Sequence, residues 1–249
     1  MGTQIPHATG AAYALKMEAL ENPTAPPRVA ACYFGEGAAS EGGFHAALNV
    51  AAVKKCPVIF ICRNNGFAIS TPTSEQYVGD GIAVRGASYG IESMRVDGTD
   101  IFAVYEATKE ARRKALEDGG CPILLEFMSY RVSHHSTSDD SSAYRERDEV
   151  GSWKTSNSPI TRLREWLESK GLWNETLEEE ARKSIREDVL RELTAAEKEK
   201  KPALKGIFED VYGEITEEAE EQRQEMRRLL EKYPQEYDID EHEGGIQGL

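Results

Sequence analysis

No stretch of the chain is apolar enough, for long enough, to cross a bilayer, since charged residues interrupt it well before the roughly 20 apolar residues that a spanning helix needs. Positive charge is also in short supply. Thirty Lys and Arg stand against 44 Asp and Glu, a formal net charge of −14, which excludes binding to nucleic acid or an anionic membrane through bulk electrostatics. Cysteine is scarce too: Cys32, Cys56, Cys62 and Cys121 form no C-x-x-C pair and lie in or beside apolar runs. That pattern excludes a disulfide framework or zinc ribbon and predicts reduced core thiols of an intracellular protein. No internal repeat or low-complexity linker is present. Of the five histidines, His45 on a polar helix flank and His242 in the acidic tail read as surface residues.

What the chain does have is enough apolar content, 39% of 249 residues, to bury a core. Its most informative stretch is residues 28 to 70. Two apolar runs, Val29 to Phe34 and Pro57 to Cys62, flank a segment in which Phe44, Leu48, Ala51 and Ala52 recur at helical spacing. This predicts a βαβ unit, whose two strands end on the same edge of a parallel sheet, where ligands of α/β proteins bind. The first strand ends in Gly35-Glu36-Gly37 and the second in Arg63-Asn64-Asn65. Glu36 and Asn65 are therefore expected to meet. A carboxylate and a carboxamide are hard oxygen donors suited to Mg²⁺, the glycine turn lets backbone N–H groups approach a phosphate, and Arg63 adds a fixed positive charge.

A second polar signature, Tyr130 to Arg145, follows the strand-like run Ile123 to Met128. Its Ser, Thr and Asp residues favour turns, and loops at a sheet's C-terminal edge commonly carry function. With no aliphatic side chain between Ser133 and Ser142, this loop is expected to be mobile until a ligand engages it. Elsewhere, residues 7 to 20 read as a helix broken by the prolines from Pro23 to Pro27, Ser93 to Val96 as a short strand, and Asp100 as the N-cap of a helix from Ile101 to about Glu117. From Ser158 onward the pattern predicts three or four charged helices, with Leu163, Trp166 and Leu167 on one face and Leu190, Leu193 and Ala196 on another. The expected organisation is an α/β core over residues 1–150 and a helical extension over 151–249.

The Gly35-Glu36-Gly37 turn and the Asn64-Asn65 pair, with 29 residues from Glu36 to Asn65, resemble the diphosphate-Mg²⁺ motif of thiamine diphosphate enzymes. The loop YRVSHHSTSDDSSAYR and the segment from Arg63 to Ile91 are similar to those of the α subunits of 2-oxoacid dehydrogenase E1 components, in their branched-chain form. The resemblance covers essentially the whole chain. It implies the thiamine diphosphate-binding fold, with a parallel sheet flanked by helices, and oxidative decarboxylation of branched-chain 2-oxoacids with acyl transfer to lipoamide. Pyruvate or acetoin dehydrogenase α subunits are the alternative within the family.

By that resemblance Glu36, the side chain of Asn65 and the main-chain carbonyl of Phe67 bind Mg²⁺, and Gly37, Ala38 and Arg63 contact thiamine diphosphate. His135 is the active-site histidine near the cofactor and Ser136 the kinase target. Glu36 stands where most such enzymes carry Asp, and Phe67 replaces a common Tyr. A further phosphoserine position falls on Glu146. Thr3 and Gln4 match two positions of a K⁺ site whose upstream partners, like an upstream Tyr-Arg pair for the diphosphate, are expected to be missing through N-terminal truncation. The implied partners are a β subunit in an α2β2 heterotetramer, a lipoyl-bearing E2, and a regulatory kinase and phosphatase. The β subunit is expected to supply the glutamate that activates the cofactor. The implied location is the mitochondrial matrix, without a presequence in this chain. A fragment that docks on β without completing a cofactor site is the non-catalytic alternative.

Overall fold

The computed structural model describes residues 2–156 and 158–249. Helix α1 (Gln4–Glu21) begins three residues before the expected start. Pro6 is tolerated because it falls in the first turn, where backbone N–H groups have no intrahelical acceptor. Strand β1 (Ala30–Gly35) runs into a 3₁₀ turn, Glu36–Ser40. Helix α2 (Gly42–Lys54) then returns the chain to strand β2 (Val58–Asn64). This is the βαβ unit predicted from the spacing of apolar residues.

A small hairpin follows, β3 (Phe67–Ala68) antiparallel to β4 (Thr71–Pro72), which the sequence pattern does not signal. Two short helices, α3 (Thr73–Gln76) and α4 (Ala83–Ala87), lead to strand β5 (Glu92–Asp97). Helix α5 (Ile101–Ala115) starts where expected, with the Asp100 carboxylate accepting from the N–H groups of Phe102 at 2.9 Å and Ala103 at 3.3 Å. Strand β6 (Ile123–Met128) completes a parallel sheet of order β1-β2-β6-β5.

Helices cover this sheet unevenly. On one face Cys32, Phe34, Phe60, Cys62 and Leu124 pack with Ile5 and Ala12 of α1, Phe44 and Leu48 of α2, and Ile82. On the other, Ile59, Ile61, Ile123, Leu125 and Phe127 pack against Ala111 and Ala115 of α5. Strand β2 is buried at every position except Arg63, which explains its unbroken apolar run. Beyond the reach of α5, Tyr33 on β1 stays 70% exposed.

The cysteines are free thiols: Cys32, Cys56 and Cys62 are buried and Cys121 is half-buried. Burial pushes the Cys32 thiol up to about 11, as expected of a core side chain. His45 is less exposed than its position on the helix flank suggests. Its Nδ1 lies 2.9 Å from the Tyr89 hydroxyl, and burial followed by the nearby Arg85 charge lowers its pKa.

The chain divides into two compact units, Met1–Trp173 and Asn174–Leu249. The boundary expected at 150 falls inside helix α6 (Arg147–Ser156), and helix α7 (Pro159–Ser169) also belongs to the first unit. The reason is local: Trp166 packs on Phe102 with ring centroids 4.7 Å apart, while Arg162 pairs with Asp97 and Asp100. These anchors are individual side chains in a charged segment, so composition does not reveal them. The second unit holds helices α8 (Glu175–Glu197), α9 (Gly206–Glu209) and α10 (Glu217–Lys232), and its small core of Leu204, Phe208, Leu230 and Leu249 draws on α9 and α10. The face expected on α8 is present but not buried, with Leu190 and Leu193 exposed.

Leu124 is fully buried on a central strand. Leu124→Ala should cost about 2–5 kcal/mol, read as a lower urea midpoint with an unchanged m value. Tyr33→Ser, on the uncovered face, should shift stability by less than about 0.5 kcal/mol.

Candidate functional site

Glu36 is the first residue beyond β1 and Asn65 the first beyond β2, and the register that pairs Gly35 with Arg63 brings them to one edge. The Glu36 side chain is only 1% exposed. Its Oε2 accepts from the Asn65 N–H at 3.2 Å, whereas Oε1 is buried with no hydrogen-bond partner. An unpartnered buried carboxylate oxygen is costly unless a cation or donor meets it.

Asn65 Oδ1 accepts from the Phe67 N–H at 3.1 Å, which leaves a second lone pair available. Gly66, at φ +86°, turns the chain between them. Glu36 and Asn65 are oxygen donors of the kind that could hold Mg²⁺, and Phe67, two residues after Asn65, has a main-chain carbonyl of the same type.

The flanking residues fall into place around that turn. A Cβ on Gly37 would lie 2.7 Å from the Cβ of Ala68, so glycine is required there for the 3₁₀ turn to seat against the β3–β4 hairpin. Ala38 is in the same turn, and Arg63 is exposed at the end of β2. Thr3 and Gln4 lie at the exposed start of α1, where the Gln4 carboxamide donates to the Tyr33 carbonyl at 3.3 Å.

The Tyr130–Arg145 loop is folded around its own last residue. Arg145 is 6% exposed. Its guanidinium donates to the carbonyls of Arg131 and Ser133 and to the Ser141 hydroxyl. It also lies over the rings of Phe67, Tyr130 and Tyr144, 5.5–5.7 Å from their centroids. Asp139 Oδ2 accepts from the His135 N–H at 2.8 Å and the Tyr144 hydroxyl at 2.7 Å. Those bonds, the His135 N–H first, hold the Asp139 carboxyl below its usual range. His135 and Ser136 are exposed, with the Ser136 hydroxyl 3.3 Å from that of Ser138. The loop, expected to be mobile until a ligand engages it, has a buried cation at its centre.

A third group joins Asn64 to Glu126 and Arg95, two residues that belong to no sequence motif. Glu126 is fully buried on β6. Burial works to raise its pKa, but bonds from the Ala83 N–H, Asn64, the Ile82 N–H and Arg95 outweigh it and hold the carboxyl below its ordinary value. The available signal was a lone glutamate inside the apolar run Ile123 to Met128.

The family model described as dehydrogenase E1 component matches residues 1–205. The chain belongs to the dehydrogenase E1 component family. That matched range includes the sheet, the Glu36–Asn65 edge and the histidine loop.

Among its curated relatives are proteins named 2-oxoisovalerate dehydrogenase subunit alpha, mitochondrial. The one from Mus musculus is 53% identical over 243 residues, 98% of this chain and 53% of that protein. The one from Homo sapiens is 59% identical over 202 residues, 81% of this chain and 44% of that protein. Arabidopsis thaliana has a subunit alpha 2 that is 47% identical over 240 residues, 96% and 49% respectively. The chain spans about half the length of the curated relatives it matches.

The Asp139 carboxyl is depressed in the folded loop, so its stabilising contribution is complete above the unfolded Asp value of about 3.9 and is lost as pH falls through the lower folded value. An NMR titration of the His135 amide should accordingly show a midpoint below that value. A midpoint at or above it would mean that Asp139 does not hold the loop.

Proposed function

We propose that the chain forms the metal–diphosphate part of the α subunit of a thiamine diphosphate-dependent branched-chain 2-oxoacid dehydrogenase E1. The observation that carries this reading is the buried, unpartnered Oε1 of Glu36 beside the Asn65–Phe67 turn. In this reading Glu36, Asn65 and the Phe67 carbonyl hold Mg²⁺. The N–H groups of Gly37 and Ala38 and the charge of Arg63 bind and neutralise the diphosphate. Thiamine diphosphate, when bound, supplies the carbanion and electron sink for decarboxylation.

His135 is the chain's hydrogen-bonding group for the diphosphate and the reacting centre, and Asp139 fixes its backbone. Thr3 and Gln4 are proposed as two positions of a K⁺ site completed by other residues. The names of the relatives support 2-oxoisovalerate and related branched-chain 2-oxoacids as substrates and the mitochondrial matrix as the location. The proposed partners are a β subunit, which provides the glutamate acting on the cofactor, and a lipoyl-bearing E2 that accepts the acyl group. A kinase and phosphatase acting on Ser136 complete the set.

Regulation follows from charge. A phosphate on Ser136 adds about −1.5 to −2 charges beside an anionic cofactor, close in sequence to Asp139 and Asp140.

Glu36→Ala and Asn65→Ala should each weaken Mg²⁺-dependent thiamine diphosphate binding by at least about tenfold in calorimetry with purified β present, with the unfolding midpoint retained. Unchanged affinity in both variants would remove the metal assignment, and no cofactor binding by the unsubstituted chain with β present would favour the docking-only alternative. Phosphorylated Ser136, or Ser136→Glu, should leave assembly with β intact and suppress acyl transfer to E2. Full activity of the phosphorylated protein would refute the switch.

A further inference from the structure

The Glu126 carboxylate lies below the sheet edge, surrounded by four donors and no water-exposed surface. Its Oε1 accepts from Asn64 Nδ2 at 2.8 Å and the Ile82 N–H at 3.0 Å. Its Oε2 accepts from the Ala83 N–H at 2.9 Å and Arg95 Nε at 3.0 Å. The chain makes room for this group at Gly81, where φ is +76° and a Cβ would lie 2.7 Å from Glu126 Oε1.

A carboxylate can only accept, so it dictates which end of the Asn64 carboxamide faces it. With Nδ2 turned to Glu126, Oδ1 faces the Gly66 N–H and accepts from it at 3.1 Å. Flipping the amide would set Oδ1 against a carboxylate oxygen and an NH₂ against an N–H, two repulsive contacts in a buried site. The Asn64–Gly66 bond closes a turn around Asn65, and that turn presents the Asn65 N–H to Glu36 Oε2 at 3.2 Å. Hydrogen bonds joined through the Asn65–Gly66 backbone thus connect β6, by way of the end of β2, to the acid that follows β1.

We propose that Glu126 is a positioning residue for the metal turn, acting by fixing the orientation of the Asn64 side chain. The inference rests on the reading of Glu36 and Asn65 as metal ligands. It adds a residue that touches neither metal nor cofactor.

The test exchanges the two functional groups. Glu126→Gln puts an NH₂ among donors, and Asn64→Asp sets two carboxylates against each other. In the double variant the introduced carboxamide donates to the introduced carboxylate, which still accepts from Gly66, while the Ile82 N–H is left without its acceptor. Mn²⁺ affinity of the full chain with purified β and thiamine diphosphate present, measured by electron paramagnetic resonance, should fall about 10–100-fold in each single variant and recover substantially in the double. Amide exchange at Asn65 and Gly66 should speed up in the single variants and slow again in the double. The unfolding midpoint should not recover in the double, which separates positioning from general stability.

Affinity that follows the unfolding midpoint through all three variants would overturn the proposal. So would an unchanged Mn²⁺ affinity in Glu126→Gln alongside a weakened one in Glu36→Ala. If Glu36→Ala itself leaves affinity unchanged, the metal reading fails, and amide exchange at Asn65 and Gly66 alone decides the positioning role: faster exchange in Glu126→Gln supports it and unchanged exchange overturns it.

Discussion

The parallel ladder between β1 and β2 is the constraint on which the candidate site depends. Pairing Ala30 with Val58 and carrying that register to Gly35 and Arg63 leaves the next residues, Glu36 and Asn64-Asn65, on one edge. A slip of β1 by one residue would turn Phe34 out of the core and move Glu36 away from Asn65. The apolar pattern that stabilises the sheet therefore also sets the spacing of the polar groups. The hydrophobic term pays for one buried, half-satisfied carboxylate.

Phe67 joins two systems that are distant in sequence. Its backbone belongs to the turn that begins at Asn65, and its ring packs against Tyr130 and Tyr144, with the Arg131 and Arg145 guanidinium groups over it. Arg131 also donates to the carbonyl of Ile69, at the tip of the β3–β4 hairpin, where φ is +56° on a β-branched residue. The turn at Asn65 and the loop carrying His135 consequently share one aromatic and cationic contact region.

Much of this was legible in the sequence, for identifiable reasons. Strands β1, β2 and β6 carry dense apolar runs, and the end of each is marked by Gly, Asn or a polar loop, so both the edge and the pairing of Glu36 with Asn65 could be read. Asp100 at the start of α5 was equally clear because capping is a local interaction. The hairpin after Asn65 was not, since two-residue strands have no periodicity. The part Arg145 takes in the loop is not legible, because mobility was expected from the composition of Ser133 to Ser142 and a terminal arginine reads as a solvated charge. The attachment of α7 depends on Trp166 and Arg162 finding partners about sixty residues away, which no window-based pattern reports.

Glu126 marks the limit of that kind of reading and the reason for it. Within Ile123 to Met128 a glutamate is a local contradiction, an acid in a strand that is otherwise core. Burial alone would favour the protonated form and give an inert core residue. The two backbone N–H groups at the start of α4, the guanidinium of Arg95 and the carboxamide of Asn64 reverse that balance and keep it anionic. An anion so placed can only accept hydrogen bonds. That one-way character is what gives the Asn64 carboxamide a defined orientation and makes the turn at the sheet edge a specified structure.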